Sequence, residues 1–226
     1  MPAGPRRSFR IEWLLGAVFL ASGAALLVYI LAGVSLRWTF LALTLAGLVV
    51  ATTVLRRLPP ERRRKAVRRI AIGAFSGLLA TVAYDAVRLS LVEYAGLKIN
   101  PLEAWRLFGI ALTDPDQSRR THMITGTAFH VCNGIAFGVA YTVAFGHRGP
   151  VAGILWAFVL EGLMVSVYPG WLGLKALDEF LSVSVTGHVA YGLVLGVLAR
   201  ALLRSNRWGD HDSTPHESSV AVDAHQ

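Results

Sequence analysis

The sequence predicts an all-α membrane protein of six transmembrane helices, the last four forming a pseudo-twofold pair of antiparallel hairpins. Three observations lead there. Hydrophobic residues make up 54% of the chain and charged residues only 16%, a balance foreign to water-soluble globules. Six apolar stretches, at 11–33, 36–55, 70–95, 121–146, 150–169 and 179–203, approach the roughly 20 residues that cross the hydrocarbon. Arginine and lysine gather between these stretches, as they do where loops are sorted by side of the membrane.

The first stretch follows Arg6, Arg7 and Arg10 and has the look of a signal sequence, but its apolar run is longer than a signal core and a second span follows at once. It is expected to stay as a helix. The second stretch turns in from Arg37 and Trp38, and neither of the two carries a mid-span charge. Next comes a connection with Arg56, Arg57, Arg62, Arg63, Arg64, Lys65, Arg68 and Arg69 against the single acid Glu61. The positive-inside rule makes this loop cytoplasmic. Six spans then put both termini inside, with fifteen basic residues on that side and six outside. A net charge of +8 on a soluble domain would point to nucleic acid. Here it reports topology, with anionic lipids as partners at 56–69 and no nucleic acid expected.

The longest outside connection holds an amphipathic helix at about 101–113, which Asn100 can cap, Pro101 can open and Glu103 can complete from three residues beyond. It either covers an opening on the outer side or lies in the interface as a plain helix. Asp116 to Ser118 can cap the fourth span. Tyr168 and Trp171 suit the headgroup level between spans five and six. The domain 1–204 gives way to residues 205–226, which are polar and expected to form a disordered cytoplasmic tail in which His211, His216 and His225 are solvated. Cys132 is the only cysteine, so no intrachain disulfide forms.

Each of the last four spans carries one ionisable residue that lipid does not tolerate: Asp85, His130, Glu161 and His188. Four-residue steps, which keep side chains on one helix face, join each to small residues. Gly73, Gly77, Thr81 and Asp85 match Gly153, Ala157 and Glu161 in one pair of spans. His130, Gly134 and Gly138 match His188, Gly192 and Gly196 in the other, at a constant offset. All four polar residues then lie at one depth, roughly 13 Å below the outer surface at ~1.5 Å per residue. The small residues lie nearer the cytoplasm, where close approach would seal the bundle below a polar chamber.

Charges in a span are costly, so these groups are expected to face the bundle and to be paired. Three uses fit. Asp85 with His130 and Glu161 with His188 can be structural pairs of a complex subunit, with Arg88 an equal partner for Asp85. His130, His188, Asp85 and Glu161 can form one site for a divalent metal, zinc, iron or manganese, in a membrane enzyme acting on a lipid-like substrate, with His122 at its entrance. Asp85, Arg88, Asn133, Glu161 and Tyr191 can instead bind a ligand or relay protons, which makes binding or transport of a cation or small solute the leading expectation. Asn133 and Tyr191 are the more ordinary local hydrogen-bonders of that set. A homo-oligomer would supply further helices.

The segment Gly187-His188-Val189-Ala190-Tyr191-Gly192-Leu193-Val194-Leu195-Gly196, with its looser copy at His130, resembles segments of uncharacterised families of small bacterial inner-membrane proteins. The resemblance implies a multi-pass inner-membrane protein and no particular chemistry. The excess of arginine over lysine agrees with a GC-rich bacterial genome.

Overall fold

The computed structural model describes residues 5–97, 100–172 and 177–209, together with their side chains except at 5–10, 12, 168–180 and 206–209. Among the described residues every regular element is helical. The helices are α1 (Pro5–Val18), α2 (Ala21–Ala32), α3 (Leu36–Arg57), α4 (Pro60–Ala95), α5 (Glu103–Leu112), α6 (Arg119–Phe145), α7 (Pro150–Leu172) and α8 (Leu177–Gly209), with a 3-10 turn at Gly146–Arg148. Five of them, α3, α4, α6, α7 and α8, are long and apolar enough to cross a membrane. The chain is a multi-pass helical membrane protein.

The first expected span is not one helix. The turn at Phe19 and Leu20, whose amides bond to Gly16 and Ala17, separates α1 from α2. Gly16 and the Ser22–Gly23 pair bracket this kink, the kind of sequence at which helices bend. Gly16 lies against the main-chain oxygen of Ala140 and Gly23 against the Phe137 ring, so each half follows its own track along α6.

α4 begins ten residues before the apolar stretch. Pro60 occupies its first turn beside Glu61, and the basic run that followed as a loop is helical up to Ile70. Arginine, lysine and glutamate favour helix, so charge marks where the membrane ends without marking where the helix does. α4 stops at Gly96, whose φ of 63° is the left-handed closing conformation that glycine adopts without strain. At the other terminus, Ser205 to Gly209 continue α8 in place of the expected tail, and 210–226 with their histidines lie outside the described residues. Tyr168 and Trp171 also lie where side chains are not described.

Side chains mark two ends of the bundle. Arg37 at the start of α3 faces Asp114 beyond α5 at 3.8 Å. At the opposite, basic end, Arg68 donates to the Leu202 oxygen and Arg69 to the Val143 oxygen, both at 3.2 Å. Val143 lies in the last turn of α6, where carbonyls lack helical partners, and Leu202 lies two turns before the end of α8.

α4 packs along α6 on one side and α8 on the other, and α7 packs along α8. Small residues make both hairpins. A Cβ at Gly77 would stand 2.8 Å from the Gly134 oxygen and 3.0 Å from the Gly138 Cα. A Cβ at Gly153 would fall on the Gly192 oxygen and 3.0 Å from the Gly196 Cα. The two hairpins thus use matching positions for matching contacts. Between hairpins the match ends, because α4 meets α8 along its length while α6 and α7 share little beyond their connecting turn. A two-fold axis would make those contacts equal.

Candidate functional site

α5 sets the roof of the site. The Asn100 side chain accepts from the Leu102 amide at 3.0 Å, closing a turn through Pro101, so the helix opens at Glu103 and not at Pro101. Glu103 turns to Arg106 with bonds of 2.8 and 2.5 Å and holds that guanidinium above its usual pKa. α5 lies backbone to backbone on α6: a Cβ on Gly126 would coincide with the Trp105 carbonyl, and one on Gly109 with that of His122. Phe108 packs edge-on to Phe129 at 5.5 Å, which in turn meets Phe40 at 5.3 Å. The helix is therefore built into the bundle and is not a loose interfacial element.

Below it the four ionisable residues stand as two pairs. His130 Nε2 lies 2.9 and 3.1 Å from the two Asp85 oxygens. His188 Nδ1 lies 2.7 Å from Glu161 Oε2 and 3.0 Å from the Ser184 carbonyl, while the Ser184 hydroxyl donates to the same carboxylate oxygen at 2.9 Å. Both neighbours of Nδ1 are acceptors, so that nitrogen carries a proton and Nε2 is left for whatever lies in front. Glu161 and His188 are 5% and 9% exposed, so their charges can persist only by mutual compensation.

The expected four-ligand metal site does not assemble. Among the described residues no three His, Cys, Asp or Glu side chains form a group able to hold a metal. Tyr84 stands against both imidazoles, its ring centroid 5.9 Å from His130 and 4.9 Å from His188, and takes the space a shared ligand set would need. Sequence spacing fixes the height of a side chain in a span but not the direction it points around the bundle.

Arg88, 7% exposed, reaches Asp85 at 3.7 Å, donates to the Pro101 oxygen at 2.9 Å and lies over the Tyr84 ring at 4.8 Å. It ties α4 to the turn that opens α5. The expected choice between His130 and Arg88 as partner for Asp85 has no single answer, since both contact it. His122 is no entrance residue: it is buried, with Nε2 3.2 Å from the Asp114 carbonyl, and holds the turn between α5 and α6. Tyr191 spends its hydroxyl on the Gly134 carbonyl at 2.7 Å.

In front of the pairs lies a cavity of about 110 Å³. His130, His188, Arg88 and Asn133 line it together with Tyr84, Trp105, Phe108, Phe137 and Tyr191. Asp85 and Glu161 do not line it, so each carboxylate sits behind its imidazole. Sequence reasoning missed Trp105, whose ring lies 5.1 Å from that of His130. It also missed Ser184, although a serine four residues before His188 shares its helix face and was the available signal.

Fold and site together define a helical membrane protein with a buried acid–histidine cavity. The family of unknown function DUF6789 matches residues 67–208, well over half of the chain, and the protein belongs to it. The match starts inside α4 and takes in every residue of both pairs, leaving α1 to α3 outside it. No curated protein and no solved structure matches the chain.

Proposed function

We propose that the protein binds a small, largely apolar solute with a polar head in the cavity beneath α5. The carrying observation is the order of groups: an apolar and aromatic wall, two imidazoles at its surface, and a carboxylate behind each imidazole. An apolar, aromatic concavity with a few placed polar groups is the common form of small-molecule sites, and the volume of about 110 Å³ here suits a small head group, not a large ligand. A bare cation would need carboxylate oxygens at the cavity surface, where imidazoles and a guanidinium stand in their place, so the small solute is favoured over the cation.

In this proposal α1 and α2 together make a kinked first crossing, giving six crossings of the bacterial plasma membrane with both termini in the cytoplasm. The basic turns of α4 then meet anionic lipid on the inner face, and the α5 end opens outward. The matching glycine contacts and acid–histidine pairs support an ancestral hairpin duplication in this reading, with the arrangement between the hairpins since diverged.

Extraction of protein held in native lipid nanodiscs, followed by mass spectrometry, tests the binding proposal. A solute enriched over empty discs and lost in Asn133→Phe, which fills the cavity, is the expected result. Equal extracts from wild type, variant and empty discs would dismiss it.

A further inference from the structure

Resting on that binding proposal, we infer that the ligand is an uncharged aromatic ring bearing a hydroxyl or carbonyl oxygen, of the phenol or quinone type, held through His188. The walls exclude a net charge. Every charged group at the cavity already faces a partner of opposite or compensating character: Arg88 and His130 face Asp85 at 3.7 and 2.9 Å, and His188 faces Glu161 at 2.7 Å. A charged ligand would find no unbalanced counter-charge, and a low-dielectric bundle penalises it heavily.

The shape of the lining selects a ring. Five aromatic side chains, Tyr84, Trp105, Phe108, Phe137 and Tyr191, surround the space, and such faces prefer to stack with or edge against another ring. Aliphatic chains alone gain nothing here over lipid, since the bilayer already solvates them.

The polar atoms select oxygen. Three lining side chains hold an atom out of water's reach with no hydrogen-bond partner: Arg88 Nε, Trp105 Nε1 and Asn133 Oδ1. Two are donors and one is an acceptor, each carrying a desolvation cost; a side-chain shift that opens them to the cavity lets a ligand carbonyl meet the two donors and a ligand hydroxyl meet any of the three. His188 adds Nε2, which accepts a hydrogen bond when the ring is neutral and donates one when the ring is protonated. With Glu161 facing Nδ1, the imidazole serves a hydroxyl in the first state and a carbonyl in the second.

Equilibrium binding of three radiolabelled probes to nanodisc-embedded protein, corrected for empty discs, tests this. They are 4-octylphenol, octylbenzene and 4-octylbenzoate. Saturable binding of the phenol at least tenfold tighter than either other probe is expected, with the preference over octylbenzene abolished in His188→Phe. Octylbenzene binding as tightly as the phenol would overturn the oxygen requirement while leaving the apolar cavity in place, and tightest binding of the benzoate would replace the ligand by an anion. If none of the three binds saturably, the cavity proposal itself fails. The wild-type series decides without any variant, so a His188→Phe protein that fails to fold leaves the test intact.

Discussion

The Tyr191 hydroxyl on α8 donates to the main-chain oxygen of Gly134 on α6 at 2.7 Å, across a buried junction where α4 also passes through Gly77. Three membrane helices are thus pinned at one level, on the side of the cavity toward the basic end. Tyr191→Phe keeps the ring and removes only this bond. Interhelical hydrogen bonds in membranes contribute about 0.6–1.7 kcal/mol, and that loss is expected in reversible unfolding from mixed micelles. A variant as stable as wild type would show the hydroxyl to be free for the cavity instead.

Glycine contacts make a paired prediction. At Gly126 a Cβ would coincide with the Trp105 carbonyl, whereas at Gly162 nothing lies within 4 Å. Gly126→Ala must push α5 off α6, at a cost of about 1–3 kcal/mol for overpacking. Gly162→Ala meets no obstacle and gains up to about 1 kcal/mol from helix propensity. Thermal unfolding in detergent should move in opposite directions for the two. A common direction would mean that α5 is not seated as the structure has it.

These contacts also show what the sequence carried and what it did not. Hydropathy located α3, α4, α6, α7 and α8 because each must hide its backbone from lipid over a fixed length. It could not see the kink at Phe19–Leu20, where no proline interrupts an apolar run, nor the helical turns of α4 from Pro60 to Arg69, where charge hides helix. In the site, four-residue spacing found the small-residue seams and both acid–histidine pairs. Depth alone then suggested one four-ligand centre, but Tyr84 stands against both imidazoles and no three ligating side chains come together among the described residues. Trp105 was hidden for a different reason: its place beside His130 depends on how α5 folds back, and that is decided by Gly109 and Gly126 in contact with distant backbone.

Arg88 has no counterpart in the second hairpin, where the matching position is Met164. Its side chain and that of Asp85 are 9% and 17% exposed, so removing either alone strands the other in poor solvent. Arg88→Met and Asp85→Asn should each destabilise the protein, and the double variant should lose less than their sum. A double-mutant cycle on unfolding free energies is expected to give a coupling of about 0.5–3 kcal/mol. Strict additivity would assign Arg88 to its Pro101 bond alone.

Orientation decides from which side the cavity is loaded. The contact of Arg37 with Asp114 puts the start of α3 and the turn after α5 at one end, and the bonds of Arg68 and Arg69 put the basic turns at the other. If the basic end is cytoplasmic, a membrane-impermeant maleimide applied to intact cells will label Asp116→Cys and not Arg63→Cys, both in a Cys132→Ser background. Arg63→Cys will react only after permeabilisation. Ser8→Cys distinguishes six crossings from five, because a kinked first crossing through α1 and α2 keeps it protected in intact cells, whereas a first pair that does not cross leaves it outside with Asp116. Labelling of Arg63→Cys in intact cells would reverse the protein in the membrane, and a solute would then reach His188 from the cytoplasm.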